Sequence, residues 1–381
     1  MAVASSPSSL VDVDRVRQDV DEILAGHVAD LRLELEHLGP AVTPLVEAVE
    51  RMLSGGKRLR AAFCYWSWRA HGGTDLGTAP GAAGRVAASR ATVLRVGAAL
   101  ELFQAAALFH DDVMDDSDTR RGKPSAHRHF AEVHQGAGWA GSARRFGESA
   151  AILLGDLSLI ASERELALAV AGLPEAARLR VRGVFDRMRT EVTVGQYLDV
   201  LVQATPWGED PVADEERARQ VIRAKSARYS VEHPMALGAT LAGADDGAVR
   251  RCRGIGLPLG EAFQLRDDLL GVFGDPGVTG KPAGDDLREG KRTVLVSRAL
   301  READLDARRL VLGRLGAPDL TTDGIDELRA VIVRTGADRQ VEQLIAELAD
   351  PALATLEGAA LEEPGRSMLV ELGRAAVDRQ T

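Results

Sequence analysis

Residues 98–110, Ala98-Ala99-Leu100-Glu101-Leu102-Phe103-Gln104-Ala105-Ala106-Ala107-Leu108-Phe109-His110, run directly into Asp111-Asp112-Val113-Met114-Asp115. The first part is apolar except for Glu101, Gln104 and the closing His110, and its Ala/Leu content favours helix. It reads as a mostly buried helix with carboxylates at its mouth. Residues four apart share one helix face, so Asp111 and Asp115 lie one turn above the other. They repel each other, and carboxylates at the edge of a buried helix need a cation. One or two carboxylates completed by substrate phosphates are what Mg²⁺ prefers. The plain alternative for one such cluster is a solvated acidic helix end.

A second stretch has the same design. Residues 257–265 are largely apolar and lead into Arg266-Asp267-Asp268-Leu269-Leu270. Two such helices facing each other across a cavity would hold metal ions bridged by a diphosphate. Basic residues supply the rest. Gly55-Gly56-Lys57-Arg58-Leu59-Arg60 places closely spaced cations at a helix start, where free N–H groups also favour anions. Arg120-Arg121-Gly122-Lys123 follows the first cluster, and Lys225, Lys281 and Lys291-Arg292 come later. Each taken singly reads as a surface cation; beside glycines and acidic clusters they read as phosphate grips. Metals with two sets of cations suit two diphosphates.

Composition sets the frame. The 381 residues carry a net charge of −10, which argues against general nucleic-acid binding. Apolar residues make up 45% and aromatics only 4%, a balance that favours helix over strand. Helical periodicity is expected at 11–38, 43–53, 58–70, 87–113, 148–171, 174–202, 214–241, 248–273, 293–315, 322–335, 337–348 and 351–356. Gly-rich loops are expected at 72–84, 136–147 and 274–290, with another beginning at Thr205. No sustained strand pattern occurs, so the expected fold is all-α: a single domain over 11–381 after a disordered tail at 1–10. Cys64 and Cys252 lack CxxC spacing and read as reduced, buried thiols. His127, His129 and His134 read as loop or helix-surface residues. The N-terminus lacks a signal peptide's features, and the apolar run at 150–160 is too short to span a bilayer. The expected protein is soluble and cytoplasmic, with no stable membrane insertion.

Together these stretches resemble the trans-isoprenyl diphosphate synthase (polyprenyl synthetase) family. The resemblance runs from about Leu53 to Thr293. It rests on Gly55–Arg60, Asp111–Asp115 with Arg120-Arg121-Gly122, Gly195-Gln196 with Asp199, Lys225-Ser226, Phe263-Gln264 before Asp267-Asp268, and the Gly280-Lys281 and Gly290-Lys291 loop. It implies the isoprenoid synthase fold, a helical bundle with a deep central cavity, assembled as a homodimer. It also implies three Mg²⁺ ions, two on Asp111 and Asp115 and the third on Asp267 with Asp268 assisting. Arg120, Lys225, Ser226, Gln264, Lys281 and Lys291 would then hold an allylic diphosphate, and Lys57, Arg60, Gln104 and Arg121 isopentenyl diphosphate. Catalysis would fall to Asp111, Asp115, Asp267, Arg120 and Lys225. There are two departures. The second acidic motif usually ends in Asp where this chain has Gly271, and the usual Lys-Thr pair is Lys225-Ser226.

Product length is expected to be set beneath the first cluster. Ala106 and Ala107 lie one turn below Asp111, where relatives that stop at fifteen carbons commonly carry an aromatic residue. Phe103 stands another turn down, about 6 Å by helical rise, deep enough for one further isoprene unit. This favours geranylgeranyl diphosphate, a twenty-carbon product, over farnesyl or longer polyprenyl diphosphates. A class I terpene cyclase would need a second metal motif with Ser/Thr and Glu at set spacings, which this chain lacks. A His-Asp metal phosphohydrolase would need further histidine ligands. A non-catalytic regulatory subunit would be expected to lose motif carboxylates or arginines.

Overall fold

The computed structural model describes residues 13–75, 87–275 and 284–378. The expected tail at 1–10, the tip of the 274–290 loop and Lys281 lie outside them. The regular structure of the described residues is helical except for a two-stranded antiparallel hairpin, Thr119–Arg120 with Lys123–Pro124. Contacts gather it into two compact units, each built around its own buried helices.

The first unit comprises Met1–Phe185, Pro234–Cys252 and Ala359–Leu372. Its centre is the Arg90–Met114 helix, which Ser89 starts by accepting a hydrogen bond from the Thr92 N–H. This helix is long and apolar enough to cross a membrane, yet 72% of its apolar window is buried inside the protein. It packs on Ala143–Val170, Leu59–Ala70 and Val16–Leu35. Leu59–Ala70 is enclosed on every side, with Phe63, Tyr65, Trp66 and Trp68 all buried. Close approach makes this possible. A Cβ on Gly97 would meet the Ala61 Cβ at 3.0 Å, and one on Gly238 would lie 2.1 Å from the Cys64 carbonyl oxygen. Cys64 and Cys252 are free and buried, as expected.

The second unit comprises Asp186–His233, Arg253–Gly358 and Gly373–Thr381. Val294–Glu302 packs between Pro211–Val221 and Ala337–Glu357. Thr293 caps the first of these helices and Asp210 the second. The 214–241 expectation resolves into Pro211–Val221, a π-helical stretch Ile222–Glu232, and His233–Leu241. The π turn is gripped at two glycines. A Cβ on Gly195 would lie 2.4 Å from the Lys225 nitrogen, and one on Gly260 would lie 2.3 Å from the Ala227 carbonyl oxygen. At its far end Arg228 donates to Glu191, and His233 Nε2 lies 2.7 Å from the other Glu191 oxygen.

Three other expectations differ. The 293–315 segment breaks into Val294–Glu302 and Leu305–Arg314, because Asp304 caps a new helix. Pro351 does not end a helix: Ala337–Glu357 runs through it, held by buried Leu344, Ile345, Ala352, Leu353 and Leu356. His127 and His134 are buried, not surface residues. His127 lies 3.1 Å from Ser125 Oγ, and His134 is packed against Trp139 and Phe146.

The Gly195 contact is testable. Gly195→Ala places a methyl against backbone that has no flexible end to move. It is expected to lower unfolding stability by about 1–3 kcal/mol, as overpacking does, despite alanine's better helix propensity. Denaturant unfolding of both proteins measures this; equal or greater stability in the variant would contradict the close approach.

Candidate active site

The first acidic set stands at the wrong end of its helix for carboxylates. Arg90–Met114 ends at the Asp115 cap, where the helix dipole is already negative. The middle carboxylate turns inward: Asp112 is wholly buried and accepts two hydrogen bonds from Arg120, the Nε one at 2.9 Å. The same guanidinium comes within 3.7 Å of Asp111. Asp111 and Asp115 are half-buried. Sequence reading placed Arg120 on a diphosphate and gave Asp112 no role; the structure makes Asp112 the residue that aims Arg120.

Arg120 reaches that position from the hairpin. Its register, Arg120 opposite Lys123, leaves Arg121-Gly122 as the turn, with φ of 53° and 72°. Glycine adopts that conformation freely and arginine does not. Arg121 is held there by donating to the carbonyls of Met52 and Ser54, at 3.0 and 2.6 Å. The residue is exposed. Desolvation, then Arg58, Arg120 and Arg60, push it below the usual arginine range, with Glu101 opposing. Such crowding of cations suits an anion. Lys57 is exposed, Arg60 is half-buried, and Arg58 has a different task. Arg58 is buried and donates to Asp21, Glu101 and the Leu53 carbonyl. Gly56 keeps room for it, since a Cβ there would lie 2.7 Å from its guanidinium.

Around the first acidic set, the core helix carries an incompletely buried stripe at Gln104, Ala107, Leu108, Asp111 and Asp115. The spacing is that of one helix face. Ala106 and Phe103 are buried beside it. Of the two alanines expected to govern product length, Ala107 is therefore the one that borders open space.

The second unit holds the other residues. Asp267 is exposed and Asp268 buried. Gln264 donates to Asp268 at 2.9 Å, so it orients this carboxylate. Burial first, then Asp286, and finally Asp267 push the Asp268 carboxyl up to about 8, against Gln264 and Lys291. Lys291 lies 2.7 Å from Glu289 and 3.5 Å from Asp286. Lys225 donates to Asp199 at 2.6 Å, and Ser226 beside it is half-buried in the π turn. Lysine usage is a signal that motif reading passes over. The chain's lysines are only Lys57, Lys123, Lys225, Lys281 and Lys291; every other cation is arginine or histidine. All but Lys123 fall on expected site positions.

Among the described residues, no three His, Cys, Asp or Glu side chains already converge as a complete metal cage. The acidic donors are all oxygens, the type Mg²⁺ takes from one or two carboxylates, completing its shell with water and phosphate.

Comparison with known proteins gives a consistent result. The family model described as polyprenyl synthetase matches residues 42–330. The geranylfarnesyl diphosphate synthase of Aeropyrum pernix is 33% identical over 290 residues, 74% of this chain and 77% of its own. The geranylgeranyl diphosphate synthase of Sulfolobus acidocaldarius is 32% identical, over 69% of this chain and 68% of its own. A solved geranylgeranyl pyrophosphate synthase from Corynebacterium glutamicum, complexed with isoprenyl diphosphate and magnesium, superposes with a TM-score of 0.87. It is 36% identical, covering 97% of this chain and 100% of its own. With the acidic, basic and glycine positions all inside the matched span, this chain belongs to the polyprenyl synthetase family and is a prenyltransferase.

Proposed function

We propose that the chain condenses isopentenyl diphosphate with an allylic diphosphate to make geranylgeranyl diphosphate, with residues 11–381 acting as one catalytic domain. The observation that carries the product length is the half-open stripe beneath Asp111, where Ala107 leaves space and Phe103 stands one turn further down. Asp111 and Asp115 would hold two Mg²⁺ ions and Asp267 a third, with Asp268 assisting. Bound Mg²⁺ would supply Lewis-acid stabilisation of the negative charge that builds on the leaving diphosphate.

The chain's own residues do the positioning. Arg120, aimed by Asp112, and Lys225, aimed by Asp199, present fixed positive charge to the leaving group. Lys281, Lys291 and Ser226 complete the grip on the allylic diphosphate, and Gln264 orients Asp268 beside it. Lys57, Arg60, Arg121 and Gln104 hold isopentenyl diphosphate so that its double bond meets the allylic carbon as the C–O bond breaks. The proton then lost goes to the released diphosphate. A homodimer is supported by the Ala143–Val170 helix, which exposes Ile152, Leu153, Ile160 and Leu168 to solvent in the single chain.

Incubating the protein with Mg²⁺, isopentenyl diphosphate and farnesyl diphosphate, then identifying the dephosphorylated alcohol, tests the product. Geranylgeraniol is expected, and failure to extend farnesyl diphosphate would exclude the twenty-carbon assignment. Ala107→Phe is expected to shift the main product to fifteen carbons. Asp112→Asn is expected to lower kcat about 10²-fold, the scale of an ångström's misplacement, because Arg120 loses its anchor. Steady-state kinetics checks it; an unchanged kcat would remove Arg120 from the leaving-group site.

A further inference from the structure

Glu191, Gly195 and Asp199 stand four residues apart on the Glu175–Ala204 helix, so they line one face in successive turns. That face meets the π-helical stretch Ile222–Glu232 at three levels. Asp199 accepts from Lys225 Nζ, Gly195 lies against the Lys225 backbone, and Glu191 takes Arg228 and His233. The first two contacts touch the lysine itself. The third is made at the far end of the stretch and depends on how the chain is wound there.

Arg228 Nη1 lies 3.2 Å from Glu191 Oε1, and His233 Nε2 lies 2.7 Å from Glu191 Oε2. These two partners are five residues apart. On an α-helix, residues so spaced point about 140° away from each other around the axis, which separates them for a single carboxylate. A π-helix bonds from i to i+5 and brings them to one face. The His233 backbone N–H donates to the Arg228 carbonyl, which is a bond of that kind. Both oxygens of Glu191 are therefore occupied only while the stretch is wound as π. Burial raises the Glu191 carboxyl, but His233 and Arg228 outweigh it and hold it below the usual carboxylate range. Burial pushes His233 down to about 4, against Glu191, so a neutral ring gives its Nε2 proton to the carboxylate. Glu232 and Arg253 close the same end, with Arg253 donating to Glu232 at 3.3 Å and Arg228 lying 3.7 Å from its other oxygen.

We propose that Glu191 is a positioning residue for prenyl transfer: by pairing with Arg228 and His233 together it holds the π winding, and that winding keeps Lys225 on Asp199. Rewinding the stretch as α-helix would turn the residues before it by about 100° relative to those after it, the rotation of one residue. Lys225 would then leave the Asp199 face. The inference rests on the reading of Lys225 as a cation presented to the leaving diphosphate.

Kinetics with Mg²⁺, isopentenyl diphosphate and farnesyl diphosphate, run as a double-mutant cycle with Lys225, tests this. Glu191→Gln keeps the size of the side chain but turns an amide NH₂ toward one of the two donors. It is expected to lower kcat about 10-fold, as a displaced catalytic charge does, and to leave the KM for isopentenyl diphosphate unchanged. Arg228→Gln breaks the same contact from the other side and is expected to do likewise. In a Lys225→Met background each is expected to cost less than about 2-fold more, because residues that act through one group are not additive. The proposal is overturned if neither variant lowers kcat, or if either lowers it by the same factor with and without Lys225, which is how a purely structural loss behaves. A Lys225→Met protein as active as wild type would instead overturn the leaving-group role of Lys225, a separate result.

Discussion

One buried carboxylate organises much of the first unit. Asp112 sits at the negative end of the Arg90–Met114 dipole with no exposed surface, between two half-buried carboxylates. A charge so placed must be paired, and removing its partner costs about 3–5 kcal/mol. Arg120 is that partner, which requires the chain to turn back within eight residues. The hairpin does so only with Arg121 in a left-handed conformation that arginine disfavours. The carbonyls of Met52 and Ser54 offset that strain, and in accepting from Arg121 they bring the Gly55–Arg60 segment alongside. The cluster of cations proposed to take isopentenyl diphosphate is thus a consequence of satisfying Asp112.

Glycines do the corresponding work where backbones must touch. Gly97 and Gly238 let neighbouring helices close around Leu59–Ala70, and Gly195 and Gly260 clamp the π turn that carries Lys225. A π turn widens the helix and is seldom stable without such support; it is commonly found at functional sites. Here the widened backbone and its lysine are fixed together, since Lys225 is bonded to Asp199 on the helix that also supplies Gly195.

Periodicity read most of the helices correctly, and the 43–53 and 322–335 boundaries agree to the residue. It failed where the signal is not periodic. The π turn keeps an apolar pattern close to that of an α-helix, so 214–241 looked continuous. Pro351 looked like a stop because its local effect is visible in sequence, while the packing that overrides it is not. The motif residues were legible because carboxylates and cations beside glycines are unusual in an apolar setting. Which of them pair with one another was not. Asp112 and Arg120 are eight residues apart, Asp199 and Lys225 twenty-six, and nothing in either neighbourhood marks the pair. Gln264 was read as holding the diphosphate; its amide nitrogen also donates to Asp268, a contact nothing in the sequence marks.

These pairings bear on how the proposed site would recognise its ligand. Arg120, Lys225 and Lys291 each face a carboxylate at hydrogen-bond distance. Pairing holds each cation in one orientation, which reduces the ordering entropy lost when a phosphate arrives. It also cancels much of the positive field that would attract a diphosphate alone, because each pair is close to neutral beyond its own length. On the proposed reading, Asp111, Asp115 and Asp267 bring further carboxylates to the bound phosphates, so a diphosphate without Mg²⁺ meets cations already paired with carboxylates, and binding waits for the metal. Specificity for the metal–diphosphate pair over free diphosphate would then reside in the carboxylates that hold the cations as much as in the cations themselves.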